Sequence, residues 1–394
     1  MIAYRAAWVV PIGRPPIQAG VVGVDRGMIA TVGDRPSGPV EDLGDVALLP
    51  GLVNAHTHLE LSWMRGRVPP SGSMPDWTSA LIALRQTSPI DPADPIAEAI
   101  AEMRASGTCL VGDITNTLAS CAPLAASRLS GVVFHELIGF SARDPDGLVS
   151  RALDQASALP PAERLRMALA PHAPYSVSPP LFQSIARRAA GRPISVHLGE
   201  SPDEVEFLRA GTGAWRGVLE RLGAFNDAWV PPACTPVAYL DRLGLINRNL
   251  LAVHGVQLTD AELARLAVAD ATLVTCPRSN QWTGAGVPPI ARFYASGVRI
   301  AVGTDSLASV GDVNLFAELA EIRRLAPAVA PRAILQSATR SGADALGFGA
   351  ELGSLEAGKR AEIIAVRIPS GLQDVEEYLV SGIQPFDVRW LDAG

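Results

Sequence analysis

A single lysine, Lys359, stands among the 33 basic residues of this 394-residue chain, and aromatic side chains make up only 5% of it. No block of basic residues occurs and the formal net charge is −7, so the electrostatic footprint of a nucleic-acid-binding protein is missing. No apolar run is long enough to span a bilayer, and the opening MIAYRAAWVVPIGRPP has neither the apolar core nor the cleavage pattern of a signal peptide. A soluble cytoplasmic protein with no membrane partner is expected. Cys109, Cys121, Cys234 and Cys276 show neither CxxC nor zinc-ribbon spacing, which excludes a disulfide framework and suggests small buried residues in a reducing compartment. With few aromatics and 48% hydrophobic residues, the interior must be built from Ala, Val, Leu and Ile in repeated layers, as in an alternating α/β protein. Oligomeric state is not written in these numbers; a homo-oligomer is compatible with them.

What is present is a recurrence of short β-rich runs between helical stretches. Eight can be counted: 51–58, 107–115, 131–140, 166–176, 193–201, 250–258, 272–280 and 299–309. The helices between them carry clear punctuation. Asp94-Pro95 opens a run with Ile96, Ile100 and Met103 on one face, closed by Gly107, and Thr259 with Glu262 forms a capping box. Continuously apolar strands alternating with helices predict a closed (β/α)8 TIM barrel over about residues 51–349. Residues 1–50 and 350–394 read instead as short strands, and a small β-sandwich domain assembled from both termini is expected. Segments 59–106 and 202–249 are too long for simple connections, and should wall the pocket at the C-terminal face.

All six histidines, at 56, 58, 135, 172, 197 and 254, fall in the predicted strands, near the ends where barrels keep their chemistry. One strand histidine is more often a packed core residue. Six together are not explained that way. His56 and His58, two apart, point to one face and can chelate one ion. With His197 at the end of strand five and Asp305 closing strand eight they form three imidazoles and a carboxylate, a donor set for one divalent zinc or iron ion. Lys359 lies outside the barrel, so the carboxylated-lysine bridge of two-metal sites has no candidate.

The blocks PGLVNAHTHLELS, APHAPYSVS, VHLGES, AVHGVQL, CPRSN and GTDSLAS, taken together, resemble the amidohydrolase superfamily in its branch of purine-nucleoside deaminases and chlorohydrolases. The likeness extends to GSLEAGKRAEIIAV near the C-terminus. HTHLELS and CPRSN lean toward aminodeoxyfutalosine deaminases of menaquinone biosynthesis, with S-adenosylhomocysteine and methylthioadenosine deaminases close by. The resemblance implies that His56, His58, His197 and Asp305 are ligands, Glu200 a proton shuttle, His254 a partner of the attacking hydroxide and His172 a substrate contact. Trp77 fits the homocysteine-type pattern, but Arg85-Gln86 stands where those enzymes carry a sugar-binding glutamate.

The chemistry also follows from the residues. A divalent cation lowers the pKa of water from about 15.7 toward about 7. Glu200 is placed to protonate a ring nitrogen, while Asp305 accepts the water proton and His254 hydrogen-bonds the tetrahedral centre, so these three form the catalytic set. Ammonia then leaves a small-molecule substrate. A benzoate-bearing nucleoside would need an arginine, for which Arg65, Arg85 and Arg278 are candidates. Glu60 is a candidate for the pocket mouth and Trp63 for stacking on a purine, and His135-Glu136 either reaches the substrate or pairs structurally, the structural pair being the first reading. The alternatives are deamination of S-adenosylhomocysteine, methylthioadenosine or adenosine, hydrolysis of another C–N or a C–Cl bond, or a barrel kept as a binding scaffold.

Overall fold

The computed structural model describes residues 1–35, 38–88 and 91–391. Eight parallel strands alternate with helices: Leu52–Thr57, Thr108–Thr115, Ser130–Leu137, Leu165–Pro171, Ile194–Leu198, Leu250–His254, Thr272–Thr275 and Arg299–Val302. They pair as two four-stranded ladders, strands one to four and strands five to eight. Backbone bonds help close the barrel at its two seams. The His197 amide donates to the His172 carbonyl at 2.9 Å between strands four and five, and the Asp305 amide donates to the His56 carbonyl at 3.1 Å between strands eight and one. Residues of the expected site are thus also the residues that close the barrel.

The strands begin where the sequence places them and end earlier. His58 and His172 lie one residue beyond their strands rather than within them. His254 ends strand six with φ 75°, and Asp305 follows strand eight with φ 59°. A side chain in the left-handed region leaves the strand alternation, which a period of two cannot register. The helical punctuation is as read: Thr259 and Glu262 form both bonds of a capping box, and the helix Ala93–Ala105 buries Ile96, Ile100 and Met103.

Both termini build a β-sandwich. One sheet orders Met28–Gly33, Val21–Asp25, Ile2–Arg5 and Val40–Asp42; the other orders Val388–Trp390, Ile363–Arg367, Val46–Pro50, Trp8–Val9 and Ile17–Gln18. Tyr4, Val22, Val24 and Ile29 of the first pack with Val46, Leu48 and Ile363 of the second. The helix Val375–Leu379 sits elsewhere, sharing a core with barrel helices and tied to them by Arg323–Glu377 at 2.9 Å. Among the described residues no helix is long and apolar enough to cross a membrane.

Candidate active site

At the C-terminal mouth of the barrel the donor atoms converge. Nε2 of His58 lies 3.2 Å from Nε2 of His56, 3.3 Å from Nε2 of His197 and 3.5 Å from Oδ1 of Asp305. Oδ1 of Asp305 is 3.8 Å from Nε2 of His56. Donors bound to one tetrahedral ion at about 2.05 Å stand about 3.3 Å apart, so these separations fit a shared cation. Burial drives His58 down to about 3 and His197 to about 4, and pushes His56 and His254 well below the ordinary value. All four rings are therefore neutral, with lone pairs available to an ion.

The surrounding bonds fix these rings. His197 donates through Nδ1 to the His172 carbonyl at 2.9 Å, which leaves Nε2 unprotonated and facing the cluster. Ser279 donates to Oδ2 of Asp305 at 2.5 Å. Asn280 donates from Nδ2 to Nδ1 of His254 at 2.9 Å, placing the His254 proton on Nε2, 3.5 Å from Oε1 of Glu200. Nδ1 of buried His56 has no hydrogen-bond partner.

Glu200 is 2% exposed, and burial, then Asp305 and Glu204, hold its carboxyl well above the usual carboxylate range. Its Oε2 is unpartnered. Its backbone is held by Glu204, which accepts from the amides of Gly199 at 2.9 Å and Glu200 at 3.0 Å. The spacing Ser201 to Glu204, an S-x-x-E pattern at a helix start, was a readable signal of that brace.

Above the cluster lies a cavity of about 400 Å³. Its walls come from the two long segments, with Trp77, Leu81 and Arg85 on the helix Met74–Thr87 and Trp215, Val218 and Leu219 on the helix Ala214–Arg221. His172 and Tyr175 also line it, and Tyr175 stacks on Trp215 with ring centroids 3.8 Å apart. A larger cleft of about 630 Å³ opens at the starts of strands four and five, beside Arg166, Arg188 and Arg192, remote from every histidine.

Four expected substrate contacts lie outside the cavity. Arg278 is pinned by Glu318 at 2.7 Å and Asp312 at 3.0 Å, because its position in the first turn of the helix Pro277–Thr283 aims it at the neighbouring helix. Arg65 pairs with Glu102 at 2.5 Å, and Trp63 packs in an apolar cluster under Arg67. Glu60 turns inward and accepts from Thr115 and Thr117, each at 2.8 Å. Arg85 alone of the three arginines lines the cavity. His135 and Glu136 are not a pair: strand alternation sends His135 outward to the Ala152 carbonyl and Glu136 into the cavity wall. Ser279, Asn280, Asn116 and Glu204 carried no expected role.

Fold and donor cluster together define a barrel hydrolase with a site suited to a metal ion. The chain belongs to the amidohydrolase family, whose pattern matches residues 47–384, and it is an enzyme that hydrolyses C–N bonds. It is 32% identical to a 5-methylthioadenosine/S-adenosylhomocysteine deaminase of Moorella thermoacetica, over 98% of this chain and 91% of the relative. It is 33% identical to an aminodeoxyfutalosine deaminase of Deinococcus radiodurans, over 78% of this chain and 75% of the relative. Among solved structures, an adenosine deaminase from Xanthomonas campestris with bound zinc superposes with a TM-score of 0.82 at 28% identity, covering 100% of this chain and 92% of that one. A Helicobacter pylori aminofutalosine deaminase complexed with methylthio-coformycin superposes with a TM-score of 0.87, covering 100% and 98%; at 24% identity it speaks for the fold alone.

Proposed function

We propose that this enzyme is a metal-dependent hydrolytic deaminase of an adenine-bearing nucleoside, with aminodeoxyfutalosine the first substrate to test. The observation that carries the reading is a buried Glu200 with a free Oε2, its carboxyl held above the usual carboxylate range, beside the clustered donor atoms of His56, His58, His197 and Asp305. In this reading His56, His58, His197 and Asp305 hold one divalent ion, zinc or iron. When bound, the ion supplies Lewis acidity and makes a water nucleophile available at neutral pH.

The residues do the rest. Glu200 donates its proton to a ring nitrogen, which makes the amine-bearing carbon electrophilic, and takes a proton back from the hydroxyl of the tetrahedral centre as the carbonyl forms, while the water proton collected by Asp305 passes to the departing ammonia. Asp305 takes a proton from the attacking water, and Nε2–H of His254 donates to the oxygen of the tetrahedral centre. Tyr175 and Trp215 offer flat apolar surface beside His172. Arg85, 3.8 Å from Oε1 of Glu60, stands where a carboxylate on the distal half of the substrate could meet it, which favours aminodeoxyfutalosine or S-adenosylhomocysteine over methylthioadenosine and adenosine. The Moorella relative keeps methylthioadenosine and S-adenosylhomocysteine as the second reading.

The test is ammonia release from aminodeoxyfutalosine, S-adenosylhomocysteine, methylthioadenosine, adenosine, guanine and cytosine by zinc- and iron-loaded enzyme. Turnover of adenine nucleosides with aminodeoxyfutalosine highest in kcat/KM is expected. No release from any purine would remove the reading.

A further inference from the structure

Glu136 and Asn116 stand together in the cavity wall, and the bonds they make use only part of their capacity. Asn116 donates through Nδ2 to the Glu136 carbonyl at 3.3 Å and to Oε2 of its side chain at 2.9 Å. Oε1 of Glu136 has no hydrogen-bond partner, although the side chain is only 4% exposed. Nδ1 of His197 is 3.7 Å away, but its one N–H already goes to the His172 carbonyl. A buried carboxylate oxygen without a donor is costly, so its donor must come from what fills the cavity. With Nδ2 of Asn116 spent on Glu136, the atom that Asn116 has left is Oδ1, also an acceptor. The wall thus presents two neighbouring acceptors and asks for two neighbouring donors. Arg85, the cation of this cavity, already faces Oε1 of Glu60 at 3.8 Å, and neutral hydroxyls would supply both donors without adding charge.

We propose that Glu136 and Asn116 form a hydroxyl-recognition subsite that takes two adjacent hydroxyls of a ribose ring, one donating to Oε1 of Glu136 and its neighbour to Oδ1 of Asn116. This rests on the nucleoside reading of the site and adds that the enzyme selects ribonucleosides over deoxynucleosides. An analogue lacking the hydroxyl that meets Glu136 leaves a buried oxygen unpaired, the kind of mismatch that sites reject strongly, and one lacking its neighbour loses the bond to the half-buried Asn116.

The experiment compares adenosine with 2′-deoxyadenosine and 3′-deoxyadenosine in turnover, and inosine with 2′-deoxyinosine and 3′-deoxyinosine in calorimetric binding. Wild-type enzyme is expected to favour the ribose form about ten- to hundredfold in kcat/KM, mainly through KM, and similarly in Kd. Glu136→Gln and Asn116→Ala, checked for folding by melting temperature, should bring the ratio close to one. Equal treatment of ribo and deoxy forms by the wild type, or a ratio preserved in both variants, overturns the subsite; the wild-type comparison needs no variant to fold. Absence of ammonia from every adenine nucleoside would instead count against the reaction, and the binding ratios would still judge the subsite.

Discussion

Glu200 and Glu60 show how two carboxylates close in sequence to ligand histidines take different places. Glu60 accepts from Thr115 and Thr117 outside the cavity; Glu200 lines the cavity with a free oxygen, and burial makes its carboxyl hold a proton more tightly than an ordinary one. Only a group with an available proton can act as the acid of a deamination. Glu200→Gln keeps the shape but removes that proton. The expected outcome is a loss of about 10²- to 10⁴-fold in kcat with bound metal unchanged, read by steady-state kinetics beside metal analysis of the same sample. Comparable activity in the variant would show that the proton comes from another group.

At the scale of elements, the site depends on how closely strands eight and one approach. Gly303 lies directly before the Thr304-Asp305 turn, and a Cβ there would sit 2.6 Å from the His56 carbonyl oxygen and 2.9 Å from its Cβ. Backbone cannot yield as a flexible side chain can, so Gly303→Ala must part the two strands that carry His56 and Asp305. A melting temperature lowered by several degrees and a metal content below one per chain are expected together. A variant with full metal content and normal melting would mean that the seam tolerates a shift of a few tenths of an ångström. The strain at His254 and Asp305, both at positive φ, belongs to the same design: sharp turns at the strand ends bring distant side chains to one point.

Across the whole molecule, buried acids set how stability responds to pH. Asp113 on strand two accepts from the Leu59 amide at 2.9 Å, and burial pushes its carboxyl up to about 7. Below its ordinary value of 3.8 the group is protonated in both folded and unfolded chains, so its contribution to stability is fully present there. Between that value and about 7 the unfolded chain has released the proton while the folded chain still holds it, and stability falls as pH rises through this window. Asp113→Asn removes the proton difference. Urea midpoints at pH 5 and pH 8 should therefore show the variant gaining on the wild type at the higher pH; a gap that stays constant would place the titration elsewhere.

The eight-strand alternation, the capping box of Thr259 and Glu262, the two long wall segments and the identities of His56, His58, His197, His254, Glu200 and Asp305 could all be read from the chain, because periodicity and residue chemistry are local properties. The directions of side chains on turns and helix ends could not. Arg278, Arg65 and Arg85 are equivalent in sequence, yet one is clamped by Glu318 and Asp312, one pairs with Glu102 and one reaches the cavity, according to which neighbour lies across a groove. Whether His135 or Glu136 faces the pocket was open for the same reason: the alternation of strand three sends them to opposite faces, but only the closed barrel makes the Glu136 face the wall of a pocket. The sequence by itself determined which chemistry is present and on which strands, since donors of the right kind recur at strand ends. Tertiary structure alone decided which polar atoms remain unpaired, because pairing depends on contacts between residues far apart in the chain.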